Sequence, residues 1–329
     1  MYVITGATGN TGSVIARRLL EKGKRVRAIG RSADRLQPLT DSGAEPFVCD
    51  LTNAAALASA FTDASAVYVM IPPNATTSDF RAYQDGITNG IGAALEQTGV
   101  KYAVSLSSIG ADKTEKTGPV VGLHYLERRL NEIVGLNVLH LRAGYFMENT
   151  LAQIGVIKTM GITAGTLRLG LKLPMIATRD IGMAAAEALL KLEFNGQKTR
   201  ELLGQRDIDM TEASVIIGKA IDKPDLKYVQ VSDEEFQQAL TQFGLSQSVA
   251  SLIVEMAGAL NSGHMAALES RSAQNTTPTS FETFVAEEFL PRYQAKSAAA
   301  CSTLDQQSGK LENLGGQSAP LNIIFGRGR

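Results

Sequence analysis

Short apolar runs alternate with amphipathic stretches through the first half of the chain. Strand-like runs fall at residues 2–5, 25–29, 45–48, 66–71, 102–106 and 137–141, with stretches of helical period at 11–21, 33–41, 54–60, 80–97 and 122–134 between them. The runs are short and mostly apolar rather than regularly alternating, the pattern of strands covered on both faces. Such β-α alternation predicts an α/β fold, a Rossmann-type doubly wound parallel sheet with helices on both sides.

Beyond about residue 142 the alternation loosens. Helical period returns at 151–160, 181–192, 211–220, 234–243, 246–259 and 281–289, with one strand-like run at 227–231. This predicts a dinucleotide-binding domain over 1–150 and a smaller, mostly helical substrate lobe over 151–293, interleaved with it. Residues 294–329 are rich in Ala, Ser, Gly and Gln and hold no sustained period, so a flexible tail is expected there, with a short ordered piece at 321–325.

Composition narrows the function classes. With 329 residues, 44 % of them hydrophobic and 20 % charged, the chain can bury a substantial core. Its net charge of −1 gives no overall basic field for nucleic acid or an anionic membrane. No apolar run approaches the roughly 20 residues that span a bilayer. No basic region followed by an apolar one opens the chain, and a cytoplasmic protein is expected. The two cysteines, Cys49 and Cys301, and three scattered histidines have no metal-ligand spacing, so no metal is expected. No Gly-x-Ser-x-Gly elbow offers a hydrolase nucleophile.

The loop after the first run carries the strongest chemical signal. It reads Gly6-Ala7-Thr8-Gly9-Asn10-Thr11-Gly12 and opens the first helix. Gly6 suits a tight turn out of the strand, Gly9 a close approach of backbone to a pyrophosphate, and Gly12 close packing of helix on sheet. The helix N-terminus adds unpaired N–H groups and partial positive charge. NAD-type sites place an acid about 20 residues beyond this loop. Here Arg31 and Ser32 follow the second run instead, groups suited to a 2′-phosphate, so NADP(H) is the expected cofactor. Asp50 and Leu51 end the third run; Asp50 stands either to accept from the adenine amino group or to cap the next helix. Ile71 and Pro72 end the fourth, where prolines keep the chain extended beside a dinucleotide.

These residues resemble the NmrA-like branch of the atypical short-chain dehydrogenases/reductases. The glycine loop is similar to that family's Gly-x-x-Gly-x-x-Gly, and Arg31 to its NADP-type arginine. The stretch from Leu141 to Asn149 resembles the family's Leu-Arg-Pro-Gly-x-Phe-Met-Glu-Asn, with Ala143 in place of proline, and Asp180-Ile181-Gly182 resembles a later helix-start element. The resemblance covers about residues 1–293. It implies either an NADPH-dependent reductase of quinones or dyes, or a regulator that senses NADP(H) without chemistry and acts through a protein partner. It also implies that Tyr145, Phe146 and Asn149 meet the cofactor and Met147 the acceptor.

The Tyr-x-x-x-Lys pair of the tyrosine-dependent short-chain enzymes is missing. Ser107 can supply the accompanying serine, but Tyr125 is followed four residues later by Arg129, which stays charged and relays no proton. The resemblance implies that His124 takes the family's lysine position, where an imidazole titrates near neutral pH. Neighbouring helix positions point about 100° apart, so His124 and Tyr125 cannot both face a cofactor. His140 reads as a satisfied core residue and His264 as a surface one. Phe80 and Tyr83 are candidate aromatic lining for the acceptor. The expected partner is a small-molecule acceptor, and a homodimer or regulatory protein partner is left open.

Overall fold

The computed structural model describes residues 1–295. The first half alternates strictly: β1 (Tyr2–Ile4), α1 (Asn10–Glu21), β2 (Val26–Gly30), α2 (Ala33–Asp41), β3 (Glu45–Val48), α3 (Ala54–Phe61), β4 (Ala66–Val69), α4 (Phe80–Thr98), β5 (Tyr102–Ser108), α5 (Val120–Asn131) and β6 (Asn137–Ala143). There follow β7 (Tyr145–Phe146), a 3₁₀ turn (Met147–Ala152), α6 (Gln153–Met160), β8 (Thr163–Gly165), β9 (Leu173–Ile176), α7 (Thr178–Lys191), β10 (Gln197–Leu202) and β11 (Asp207–Ile208). The chain continues through α8 (Met210–Ala220), β12 (Tyr228–Gln230), α9 (Asp233–Gln242), α10 (Gln247–Ser262), α11 (Phe281–Phe284), a π turn (Val285–Phe289) and α12 (Leu290–Gln294).

One seven-stranded sheet, in the order β10-β6-β5-β4-β1-β2-β3, forms the centre, and all its pairings are parallel. One face is covered by a core that includes Ile15, Leu19, Ile181 and Leu189 of α1 and α7. The other is covered by Leu57, Phe61, Ile87, Ile91 and Leu126 of α3, α4 and α5. Gly182 lets α7 lie against α1, because a Cβ there would stand 2.7 Å from Val14 Cβ. A third core, around Met147, Met175, Ile217, Phe281 and Phe289, belongs to the second half of the chain.

The strand order reverses between β1 and β4, and this switch point opens a crevice at the carboxyl ends of the strands. The expected doubly wound sheet is present, with a seventh strand that the pattern did not flag. β10 reads Gln-Lys-Thr-Arg-Glu-Leu, and its first four residues are exposed. As an edge strand it gains main-chain bonds to β6 without needing an apolar face, which leaves its sequence free to be polar. The second half also holds two small sheets, β11-β9-β7 and β12-β8. The helix expected over 151–160 begins as a 3₁₀ turn, and the one over 281–289 passes through a π turn and runs on to Gln294. The rest of the expected tail, with Cys301 and the piece at 321–325, lies outside the described residues.

Among the described residues no helix is long and apolar enough to cross a membrane, and no cluster of His, Cys, Asp or Glu could hold a metal. His140 is the satisfied core residue expected: Nδ1 lies 2.6 Å from Ser105 Oγ and Nε2 2.9 Å from Asn131 Oδ1. Burial pushes its pKa down to about 4, so the ring stays neutral.

Candidate functional site: a dinucleotide crevice and its adjoining chamber

The crevice is one continuous cavity of about 1410 Å³, walled at one end by Gly6, Thr8, Gly9, Asn10 and Thr11. Gly6 leaves β1 with φ +59°, a backbone that favours glycine. Gly12 is not itself on the wall; it makes the wall. A Cβ on it would lie 2.3 Å from the Gly6 carbonyl oxygen, so only glycine lets α1 start this close to β1. The N-cap is Gly9, which brings no side-chain acceptor. The first-turn N–H groups of α1 therefore keep their donors for a ligand.

Beyond β2 the wall carries Arg31, Ser32 and Arg35. Arg35 was missed in the sequence, although it stands one helical turn after Arg31 and brings a second guanidinium to the same end. The wall continues with Cys49, Asp50 and Leu51. Asp50 does not cap α3. Its Oδ1 accepts from Thr52 N–H at 2.8 Å and Thr52 Oγ1 at 2.7 Å, and the cap is Asn53, which accepts from Ala56 N–H at 3.0 Å. The Thr52 bonds, with Arg31 a smaller contributor, hold the Asp50 carboxyl below its ordinary value. The donors, the cations and the glycine cradle together suit a dinucleotide bearing a 2′-phosphate.

Ile71, Pro72, Phe80 and Tyr83 line the middle of the cavity. Tyr83 donates to the Pro72 carbonyl at 2.9 Å, and burial pushes its phenol up to about 12. Its ring lies 5.9 Å from that of Phe80, as a tilted pair. Gln84, also missed in the sequence, joins this wall with Nε2 donating to the Pro119 carbonyl at 2.8 Å.

The sequence-based catalytic trio does not converge. Ser107 reaches the wall, but its hydroxyl donates to Glu127 Oε1 at 2.5 Å. Glu127 is itself clamped by Arg142, with Nε at 2.9 Å from Oε1 and Nη2 at 2.6 Å from Oε2. From α5 it is Val120 and Leu123 that line the cavity. His124 is half-buried with Nδ1 2.8 Å from the Ala111 carbonyl, and since a carbonyl only accepts, Nδ1 carries the proton. Tyr125 is turned toward α4, where its hydroxyl donates to Asn89 Oδ1 at 2.8 Å on an exposed surface. The rotation per residue thus takes Tyr125 away from the chamber. Tyr125→Phe is expected to leave NADPH binding and any turnover within about twofold, the range of a surface hydrogen bond; a tenfold loss in steady-state assays would contradict this placement.

Tyr145, Phe146, Glu148 and Asn149 follow β6 along the wall. Burial pushes the Tyr145 phenol up to about 12, while a hydrogen bond from Asn149 opposes the shift. Met147 does not reach the cavity as expected of an acceptor contact: it is 1 % exposed and packs into the core of the second half, because the 3₁₀ turn that begins there aims it inward. The cavity also extends to α6 and α9, where Ile154, Val156, Phe236 and Leu240 form apolar walls. The segment after α10 closes it with Met265 and Arg271, whose guanidinium donates to the Leu203 and Gly204 carbonyls and pairs with Asp207. His264 stays on the surface, 3.2 Å from the Glu115 carbonyl.

Comparison with known proteins matches this fold. The chain is 27 % identical over 258 residues to the NAD(P)H azoreductase of Xenophilus azovorans, covering 78 % of this chain and 86 % of that one. The NADPH-dependent quinone oxidoreductase of Escherichia coli, solved with NADPH, shares the fold with a TM-score of 0.74 and 24 % identity over 87 % of this chain and 98 % of that one. The triphenylmethane reductase of Citrobacter sp., solved with NADP(H), gives 0.71 and 18 % over 88 % and 100 %. The family model described as NmrA-like matches residues 2–290, and the chain belongs to the NmrA-like family.

Proposed function

We propose that this protein is an NADPH-dependent oxidoreductase that reduces a flat conjugated acceptor such as a quinone. The observation that carries this reading is the continuity of the cavity. Its 1410 Å³ exceeds the roughly 300–1,000 Å³ of ordinary ligand pockets, leaving room for an acceptor beside a dinucleotide.

The first turn of α1 holds the pyrophosphate, and Arg31, Ser32 and Arg35 hold the 2′-phosphate. Bound in this way, the nicotinamide supplies a hydride. Phe80, Tyr83 and Phe146 hold a planar acceptor in a water-poor space, so that proximity and orientation supply much of the rate. His124 acts as a positioning residue, fixing α5 to the segment after β5 through Ala111. The test is to follow NADPH absorbance with purified protein and a panel of quinones. Acceptor-dependent oxidation is expected; tight NADPH binding with no turnover across the panel would overturn the reading.

A further inference from the structure

Glu148 sits in the cavity wall beside Tyr145, Phe146 and Asn149. One carboxylate oxygen is fully engaged: Oε1 accepts from Thr178 N–H at 2.9 Å and Thr178 Oγ1 at 2.5 Å, at the start of α7. The other oxygen, Oε2, is shielded from water and has no hydrogen-bond partner. A bare carboxylate oxygen in such a place is costly, whereas a protonated one carries its own donor. Burial is the main cause holding this carboxyl above its ordinary value; Thr178 and the residue's own backbone N–H oppose the shift, and Glu288 adds to it. Of the charged groups on the elements packed nearby, Lys158 of α6 also lines the cavity and stands over the Tyr293 ring, and others are paired. Glu288 pairs with Arg292, Arg179 pairs with Glu287, and Asp180 accepts from Thr279.

We propose that Glu148, in its carboxylic-acid form, donates the proton that the reduced acceptor requires, in place of the tyrosine this chain lacks. The inference rests on the oxidoreductase reading above and adds a catalytic residue to it. The step balances simply for an azo acceptor. NADPH gives up two electrons and one hydrogen as hydride, one azo nitrogen takes it, and the partner nitrogen is left as an anion. The Glu148 O–H bond breaks, an N–H bond forms, and the carboxylate recovers a proton from solvent that enters the cavity only after the product has left. A quinone follows the same course, but its reduced oxygen is a weaker base and demands less of the acid. A triphenylmethane cation that takes a hydride becomes a neutral leuco dye and needs no proton at all.

That difference supplies the test. Wild-type protein and Glu148→Gln are assayed with NADPH and an azo dye, a quinone and a triphenylmethane dye, with NADPH affinity measured alongside. Glutamine keeps an oxygen for Thr178 and removes the acid. The ratio of azo to triphenylmethane turnover is expected to fall by at least about tenfold, with the quinone between, as loss of a general acid requires. An unchanged ratio overturns the proposal. Should E148Q fail to hold NADPH, the wild-type pH profiles decide. Azo turnover falls as pH rises through the Glu148 titration while triphenylmethane turnover does not follow it; superimposable profiles overturn the role. If the wild-type protein turns over none of the three, the oxidoreductase reading fails, an outcome distinct from an unchanged ratio.

Discussion

Replacing Arg31 and Arg35 together with alanine is expected to raise the Kd for NADPH by about 100-fold or more while moving that for NADH by less than about threefold. Each guanidinium stands on the cavity wall beyond β2. A hydrogen bond to a charged group contributes about 1.5–3 kcal/mol, and two such losses at the lower bound already amount to a factor near 100. NADH carries no 2′-phosphate, so it loses none of these bonds. The single Arg31→Ala variant should show part of the effect, since Arg35 remains. Fluorescence titration with both nucleotides checks this, and equal losses for the two would remove the 2′-phosphate assignment. The preference should also weaken as salt is raised, because both side chains are exposed to solvent.

The second large effect concerns stability. Glu127→Ala is expected to destabilise the fold by about 3–5 kcal/mol, the cost of stranding one partner of a buried ion pair. The side chains of Glu127 and Arg142 are 7 % and 12 % exposed, and their two hydrogen bonds join α5 to β6. Deleting the carboxylate leaves the Arg142 guanidinium without its counter-ion and frees the Ser107 hydroxyl. For a chain of this size the loss corresponds to a fall in Tm of roughly 10 °C. A Glu127→Met, Arg142→Leu double variant should recover much of it, because a buried apolar pair of similar volume is often as stable as the ions. Calorimetry of the three proteins decides; an unshifted Tm for Glu127→Ala would mean that the pair carries no net weight.

The sequence made the cofactor end of the site readable because that end is built from backbone. Gly6, Gly9 and Gly12 are required by turn geometry and close approach, so their spacing survives in the letters. Arg31 was legible by its place after β2, and Arg35 needed only the helical period to be carried one turn further. The acceptor end was less readable because its side chains are selected by tertiary direction. Met147 and Glu148 are neighbours, yet the 3₁₀ turn sends one into the core and the other to the cavity wall. Ser107 was expected to serve as the serine beside a catalytic tyrosine; its hydroxyl instead donates to Glu127, which comes from another element. β10 escaped notice for a related reason: an edge strand is specified by its neighbour's open hydrogen bonds more than by its own side chains.

The central claim is that NADPH and a conjugated acceptor meet in one cavity and that hydride passes directly between them. The most direct measurement uses NADPH deuterated at the transferred position of nicotinamide C4, with a triphenylmethane dye as acceptor, and mass analysis of the leuco product. The account predicts one deuterium per molecule at the central carbon, where a C–D bond does not exchange with water. Leuco product without deuterium, or tight NADPH binding with no product formed, would contradict it.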